Sequence, residues 1–402
     1  MFRCEEVLRV LLCGFRSTGP KAVLAFLVFA NATISPSLAA PPPAVQWTQT
    51  PATQESSCSF GITMDTAGNL YTVGESNGTV FGVPSSYGQH YVAKYTANGN
   101  LAWENQWVEG TGTVFGLAVD GAGDVFMADG GLDKKFSQSG TLLWQTDVQE
   151  RAEGVAVDTA GNSYVCGMSG TGYPSVSKVN SLGKLLWTSQ LPSTGVASAV
   201  AVDGQGNAAI AGNSDYNGAT QTQLGYAAGF DAVGNLLWSK QYGSVGTYND
   251  VTSVAADGYG GIYMTGDIGQ SGALAFAKYD QLGNQQWARN ITYDGRANSI
   301  ASDSNGAEYV CTNYAIDKYD LSGNLVGQFP MPVEAFPLAY SAGAFGIARS
   351  DSSNSYVSYY SVPEPSTLVL LGIGAVSLFG LRLTTRKGWR MSLRADCRRQ
   401  RG

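Results

Sequence analysis

Between residues 47 and 326, short apolar stretches alternate with polar, glycine-rich breaks, and two patterns take turns. The first reads small/apolar-A-V-D-x-x-G-N-x-Y-x-x-G. It occurs at 61–74 (GITMDTAGNLYTVG), 116–130, 154–167, 200–212, 253–266 and 299–313. The second reads K-Y-x-x-x-G-N-L-x-W and ends at Trp103, Trp144, Trp187, Trp238 and Trp287. In a sixth copy Gly327 replaces the tryptophan, and Trp47 (VQWTQT) stands alone ahead of the first. Each pattern sets alternating apolar residues on either side of a Gly/Asn turn, which predicts a β-hairpin. One repeat thus predicts four strands in ~40–50 residues, and a repeated four-strand unit predicts a β-propeller.

The ends of the repeat fix the blade number. Trp47 marks a fourth strand that lacks the first three, and 336–361 offers three runs (PLAYS, AFGIARS, SYVSYYS) that lack a fourth. Joined, they make a seventh blade from both chain ends and leave no free sheet edge. The expected fold class is therefore all-β: a propeller of seven four-stranded blades, with six as the alternative, followed by a C-terminal transmembrane helix. The repeat resembles the SBBP and related bacterial propeller repeats, a likeness that implies fold and not chemistry.

The flanks follow other rules. Residues 22–30 (AVLAFLVFA) form an apolar core behind Arg16 and Lys21, and small residues follow at Ser37-Leu38-Ala39-Ala40. That order predicts a secretory signal over 1–39, cleaved after Ala39. The core is too short to span ~30 Å of hydrocarbon. Residues 40–361 are then the propeller domain. Residues 362–402 hold Val362, Pro363, Glu364, Pro365, Ser366 and Thr367, an apolar run from Leu368 to Leu381, and Arg382, Arg386, Lys387 and Arg390. The two prolines keep the first segment extended. Residues 366–383 are just long enough to enter a bilayer, and the basic cluster holds its far end in the cytoplasm. Motif, short helix and basic cluster together resemble the PEP-CTERM sorting signal of exopolysaccharide-producing Gram-negative bacteria, although 391–402 runs past the usual cluster. The resemblance implies the export machinery and an exosortase-type transpeptidase as partners. It also implies a membrane-anchored precursor with a periplasmic propeller, and final residence at the cell surface or outside.

Composition supports this division. Only 14% of residues are charged and 51 are glycines. The net charge of −7 averages two basic flanks with a middle that holds 12 basic against 28 acidic residues in 40–381. Such a domain does not suit nucleic acid and repels anionic polymers. With His90 the single histidine, zinc sites built from several histidines are excluded.

The recurring residues have two readings each. Asp65, Asp120, Asp158, Asp203, Asp257 and Asp303 could ligate calcium. One acid per turn fits better with capping of backbone N–H groups. Trp47, Trp103, Trp144, Trp187, Trp238 and Trp287 could be sugar platforms, but one fixed position per blade fits packing between blades. The K-Y motif also resembles the tryptophan-docking repeat of quinoprotein dehydrogenases, yet Asp280 lies one residue closer to Gly283 than that repeat requires. No cofactor and no metal is expected. Cys166 and Cys311 fall on nearly opposite sides of the ring, too far apart for a disulfide. The long connections at 75–88, 213–224, 241–250 and 290–297 carry Tyr87, Tyr216, Tyr242, Tyr248 and Tyr293, and would share one face. Two functions follow. A non-enzymatic surface scaffold would bind a neutral polysaccharide or a surface protein. The alternative is a lyase or lactone hydrolase with acids converging on His90 at the channel mouth.

Overall fold

The computed structural model describes residues 43–362, except 54–57, 85–87, 109–113, 149, 218–221, 244–248, 258–259, 268–273, 292–296, 304–305, 313–314, 332–336, 342 and 351–353. The repeats form seven antiparallel sheets, one per blade. Blade 1 consists of Cys58–Met64, Leu70–Ser76, Gln89–Tyr95 and Leu101–Val108. Blades 2 to 6 follow in sequence order over 114–147, 150–190, 195–242, 250–291 and 297–330. Burial explains the pattern of each strand. The second strand is covered on both sides by neighbouring blades and reads as one apolar run, as in the fully buried Val125–Asp129. The fourth strand is the outer edge, and Leu185–Gln190 alternates half-buried with exposed residues.

Blade 7 combines both ends of the chain. Leu338–Ser341, Ala344–Ser350 and Asn354–Ser361 are its first three strands, and Ala44–Thr53 is its fourth. The closing strand pairs from Ala44↔Ser361 to Thr53↔Asn354. Trp47 stacks on Tyr359 across this joint, with ring centroids 5.4 Å apart. The ring has seven blades, not six.

One element was not legible as structure. Within the 75–88 connection, Thr79–Val80 and Val83–Pro84 form a small hairpin. It adds to the outer edge of blade 7 through Ala52↔Val80 and so latches blade 1 onto the closing strand. Phe81, at φ 46°, makes its turn and donates its N–H to the Pro51 carbonyl at 2.9 Å.

The up-and-down order defines two faces. The turns between strands one and two, and three and four, lie on a hairpin face. The connections between strands two and three, and between blades, lie on a loop face. The third strand of blade 7 ends on the hairpin face, where the Val362 N–H donates to the Gly343 carbonyl in that blade's first turn at 3.0 Å. The chain therefore leaves the propeller from the hairpin face, beside the point where Ala44 enters it.

Candidate functional site

The six aspartates sit in the first turn of blades 1 to 6. Asp65 Oδ1 accepts the N–H groups of Ala67 and Asn69 at 3.0 and 2.9 Å, and Oδ2 accepts Asn69 Nδ2 and the Tyr71 hydroxyl. Asp120, Asp158 and Asp203 bond their own turns in the same way, and Asp257 and Asp303 each accept the N–H four residues on. Burial alone would raise the Asp65 pKa, but the bonds from Asn69 and Tyr71 outweigh it and lower it. Among the described residues, no group of three or more His, Cys, Asp or Glu could hold a metal ion.

Each tryptophan reaches into the next blade. Indole Nε1 of Trp47, Trp103, Trp144, Trp187, Trp238 and Trp287 donates to a carbonyl in the neighbour's second turn, at 2.9 to 3.2 Å. The ring lies on that turn's glycine. A Cβ on Gly99 would meet Trp47 at 2.7 Å, and its φ of 81° is left-handed as well. Gly327 now has a reason. The neighbour of blade 6 is blade 7, whose third and fourth strands are the two chain ends, so it has no second turn to receive an indole. Phe329, Met331, Leu338, Phe345 and Tyr360 fill that joint, with Val362 packed against them.

The lysine of K-Y has a role that strand-by-strand reading did not reveal. Register places it between the motif tyrosine and the tryptophan: Tyr71↔Lys94↔Trp103 in blade 1, Tyr164↔Lys178↔Trp187 in blade 3. Its ammonium lies over the aromatic ring, 4.7 Å away for Lys178 over Tyr164 and Lys278 over Tyr263. It also faces the turn aspartate, as in Lys278–Asp257 at 2.9 Å. Blade 4 has Ala209 and Gly229 at these positions, and Trp238 closes over Gly229 and is 8% exposed.

The central channel is lined by the first strands of all seven blades and encloses about 360 Å³. In blades 1 to 6 that strand carries a register shift, five residues before the turn aspartate. The extra residue is Phe60, Phe115, Glu153, Ser198, Thr252 or Asn298. The first five line the channel, with Pro337 from blade 7; the Asn298 side chain lies outside the described residues. The following residue is small because the strands nearly touch around the axis. A Cβ on Gly116 would fall 2.7 Å from the Gly154 backbone. Phe60 and Phe115 meet edge to face at 5.2 Å. Glu153 Oε1 accepts Arg151 Nε and Nη2 at 2.6 and 2.5 Å, and burial raises its pKa despite this pairing. Among the described residues no donor reaches Glu153 Oε2. The ring position lies just ahead of the first motif, outside the residues that recur, and so the repeat pattern gave no sign of it.

His90 lies elsewhere, on the third strand of blade 1, with 1% exposure. Its Nδ1 is 3.0 Å from Asp129 Oδ1 on blade 2, and its Nε2 is 3.8 Å from Glu75. Asp129 Oδ2 accepts Lys134 Nζ at 2.6 Å and Trp107 Nε1 at 3.0 Å. Burial would raise the Asp129 pKa, but the bonds from His90 and Lys134 lower it. Acids do converge on His90, but between two blades and not on the channel-lining strands.

Among the described residues, Cys58, Cys166 and Cys311 are in no disulfide. Tyr242 turns inward against Tyr279, with ring centroids 6.4 Å apart. The side chains of Tyr87, Tyr216, Tyr248 and Tyr293 lie outside the described residues. So do Ala39, Pro363 to Thr367, the expected C-terminal helix and its basic cluster.

Residues 361–387 match the PEP-CTERM protein-sorting motif. No curated protein matches the chain. Among solved structures, it is similar to virginiamycin B lyase from Staphylococcus aureus. The identity is 8%, over 79% of this chain and 99% of that one, with a TM-score of 0.57. It is also similar to Raptor from Chaetomium thermophilum (10% identity, 81% of this chain and 29% of that one, TM-score 0.55). A third is the WD40 domain of Toxoplasma gondii coronin (10% identity, 82% and 90%, TM-score 0.54). At such identities the likeness is one of fold.

Proposed function

We propose that this chain is an exported, exosortase-sorted protein of the cell surface or extracellular matrix, whose propeller is a non-enzymatic scaffold that binds a neutral polysaccharide or a surface protein. The observation that carries the reading is the sorting motif placed where the propeller ends. The fold keeps Val362 packed in the joint between blades 6 and 7, and Pro363 is the next residue in sequence, so the Pro-Glu-Pro segment follows directly on a rigid sheet. Residues 366–383 anchor the precursor in the inner membrane, with the propeller in the periplasm. The repeat's likeness to SBBP-type propellers fits an exported scaffold. The propeller's excess of acids favours uncharged partners over anionic ones.

The test is to change Pro363 and Glu364 to alanine in the full chain and follow it by cell fractionation. The variant is expected to stay in the inner membrane while the unaltered chain reaches the surface. Equal surface delivery of the two would end the sorting reading.

A further inference from the structure

The channel ring changes chemistry from blade to blade at a fixed place in the repeat. In blades 1 to 5 a first-strand bulge brings one residue to the channel, and a repeat needed only for packing would hold that position constant, as it holds the tryptophans of those blades. Instead, Phe60 and Phe115 make one wall apolar, while Glu153, Ser198 and Thr252 make the other polar. Phe60 and Phe115 remain partly exposed although ringed by structure.

We infer that the channel binds one neutral pyranose unit, its apolar ring face on the phenyl pair and its hydroxyls on the opposite wall. The inference rests on the proposed surface-scaffold function and names the site and ligand class. Four features carry it. Aromatic rings facing a few placed polar groups are what a sugar needs, because a pyranose has C–H faces and an equatorial belt of hydroxyls. The volume of about 360 Å³ lies at the lower end of ligand pockets, the size of a single sugar ring rather than of an oligosaccharide. Glu153 Oε2 is an open acceptor for a hydroxyl, since both guanidinium bonds go to Oε1. Arg151 and Glu153 also neutralise each other, so the site selects against charged sugars.

Saturation-transfer NMR on the full chain in detergent would test this with methyl glucoside, methyl galactoside and methyl mannoside, and with glucuronate as the charged control. At least one glycoside is expected to bind saturably with a Kd of about 1 mM, and glucuronate at least about ten-fold more weakly, a loss of ~1.4 kcal/mol. Phe115→Ala should weaken binding at least about five-fold, with the strand circular dichroism unchanged. Glu153→Gln keeps the size of the side chain and guards against misfolding of the first variant; it too should weaken binding. Failure of all three glycosides to bind, or binding that neither substitution changes, would overturn the channel site. If polysaccharide binds the protein but the channel variants leave that binding intact, the scaffold reading stands and the channel site falls.

Discussion

At the residue scale, the turn glycines and the indoles upon them form one unit. Trp144 lies over Gly183, where a Cβ would meet it at 2.9 Å, and donates to the Ser181 carbonyl at 3.1 Å. Trp144→Ala should cost about 2 kcal/mol from lost packing, and Gly183→Ala about 1–3 kcal/mol from its φ of 83° and the clash. In the double variant the clash is gone, so the two costs should sum to less than their separate values by at least ~0.5 kcal/mol in denaturant titrations. Gly327→Trp creates an indole without a receiving turn and should change stability by less than about 0.5 kcal/mol. Glu308 gives a pH-dependent case. Burial holds its carboxyl up at about 8, with the Ser302 bond offsetting part of the effect. The unfolded chain gives up this proton near pH 4. Between about pH 4 and 8 the folded state keeps the extra proton, so stability falls as pH rises. Glu308→Gln removes that loss and should stabilise by about 2 kcal/mol at pH 9 and almost nothing at pH 4.

At the scale of elements, the closing strand holds the ring shut. Ala44–Thr53 pairs with the third strand of blade 7 along its length, and Thr48 and Ser358 share a hydroxyl bond at 2.9 Å. The latch at 79–84 binds its other side. A chain that starts at Cys58 loses that strand, exposes two sheet edges, and leaves the latch without a support. Its melting midpoint should fall by more than about 10 °C, with the single transition broadened. The closing strand was legible because Trp47 carries the repeat signature. The latch was not, because two-residue strands leave no periodicity to read. The Asp–Tyr–Lys–Trp row was only half legible. Its members were visible as recurring letters, but their contacts depend on register between strands and on the neighbouring blade.

At the scale of the whole molecule, the exit point fixes orientation under the anchored reading. Among the described residues Val362 is the last bonded to the propeller, and the apolar run starts at Leu368. Six residue steps span about 20 Å at most. The third strand of blade 7 is 8 residues long, about 23 Å at the strand rise. The tether is therefore too short to pass the blade and turn the loop face to the bilayer. The hairpin face should lie nearest the membrane, including the exposed tips Leu182, Val233, Leu282 and Leu321. A photoreactive side chain at position 282 of the membrane-held precursor should form lipid adducts several-fold more often than one at position 171 on the loop face. Equal yields would refute this orientation.

Periodicity, turn chemistry and the two unmatched ends determined the blade number, the mode of closure and the hairpin turns. These are local features, repeated often enough for the pattern to exceed the noise of any single copy. Only the tertiary structure decided what each recurring residue meets. Trp103 finds its carbonyl on Gln138, 35 residues away and in another blade. The channel ring depends on a bulge that shifts one residue per blade out of the ordinary alternation, and His90 is bonded by an acid from the next blade. Contacts between blades arise from how the sheets pack around the axis, and no single repeat encodes that arrangement.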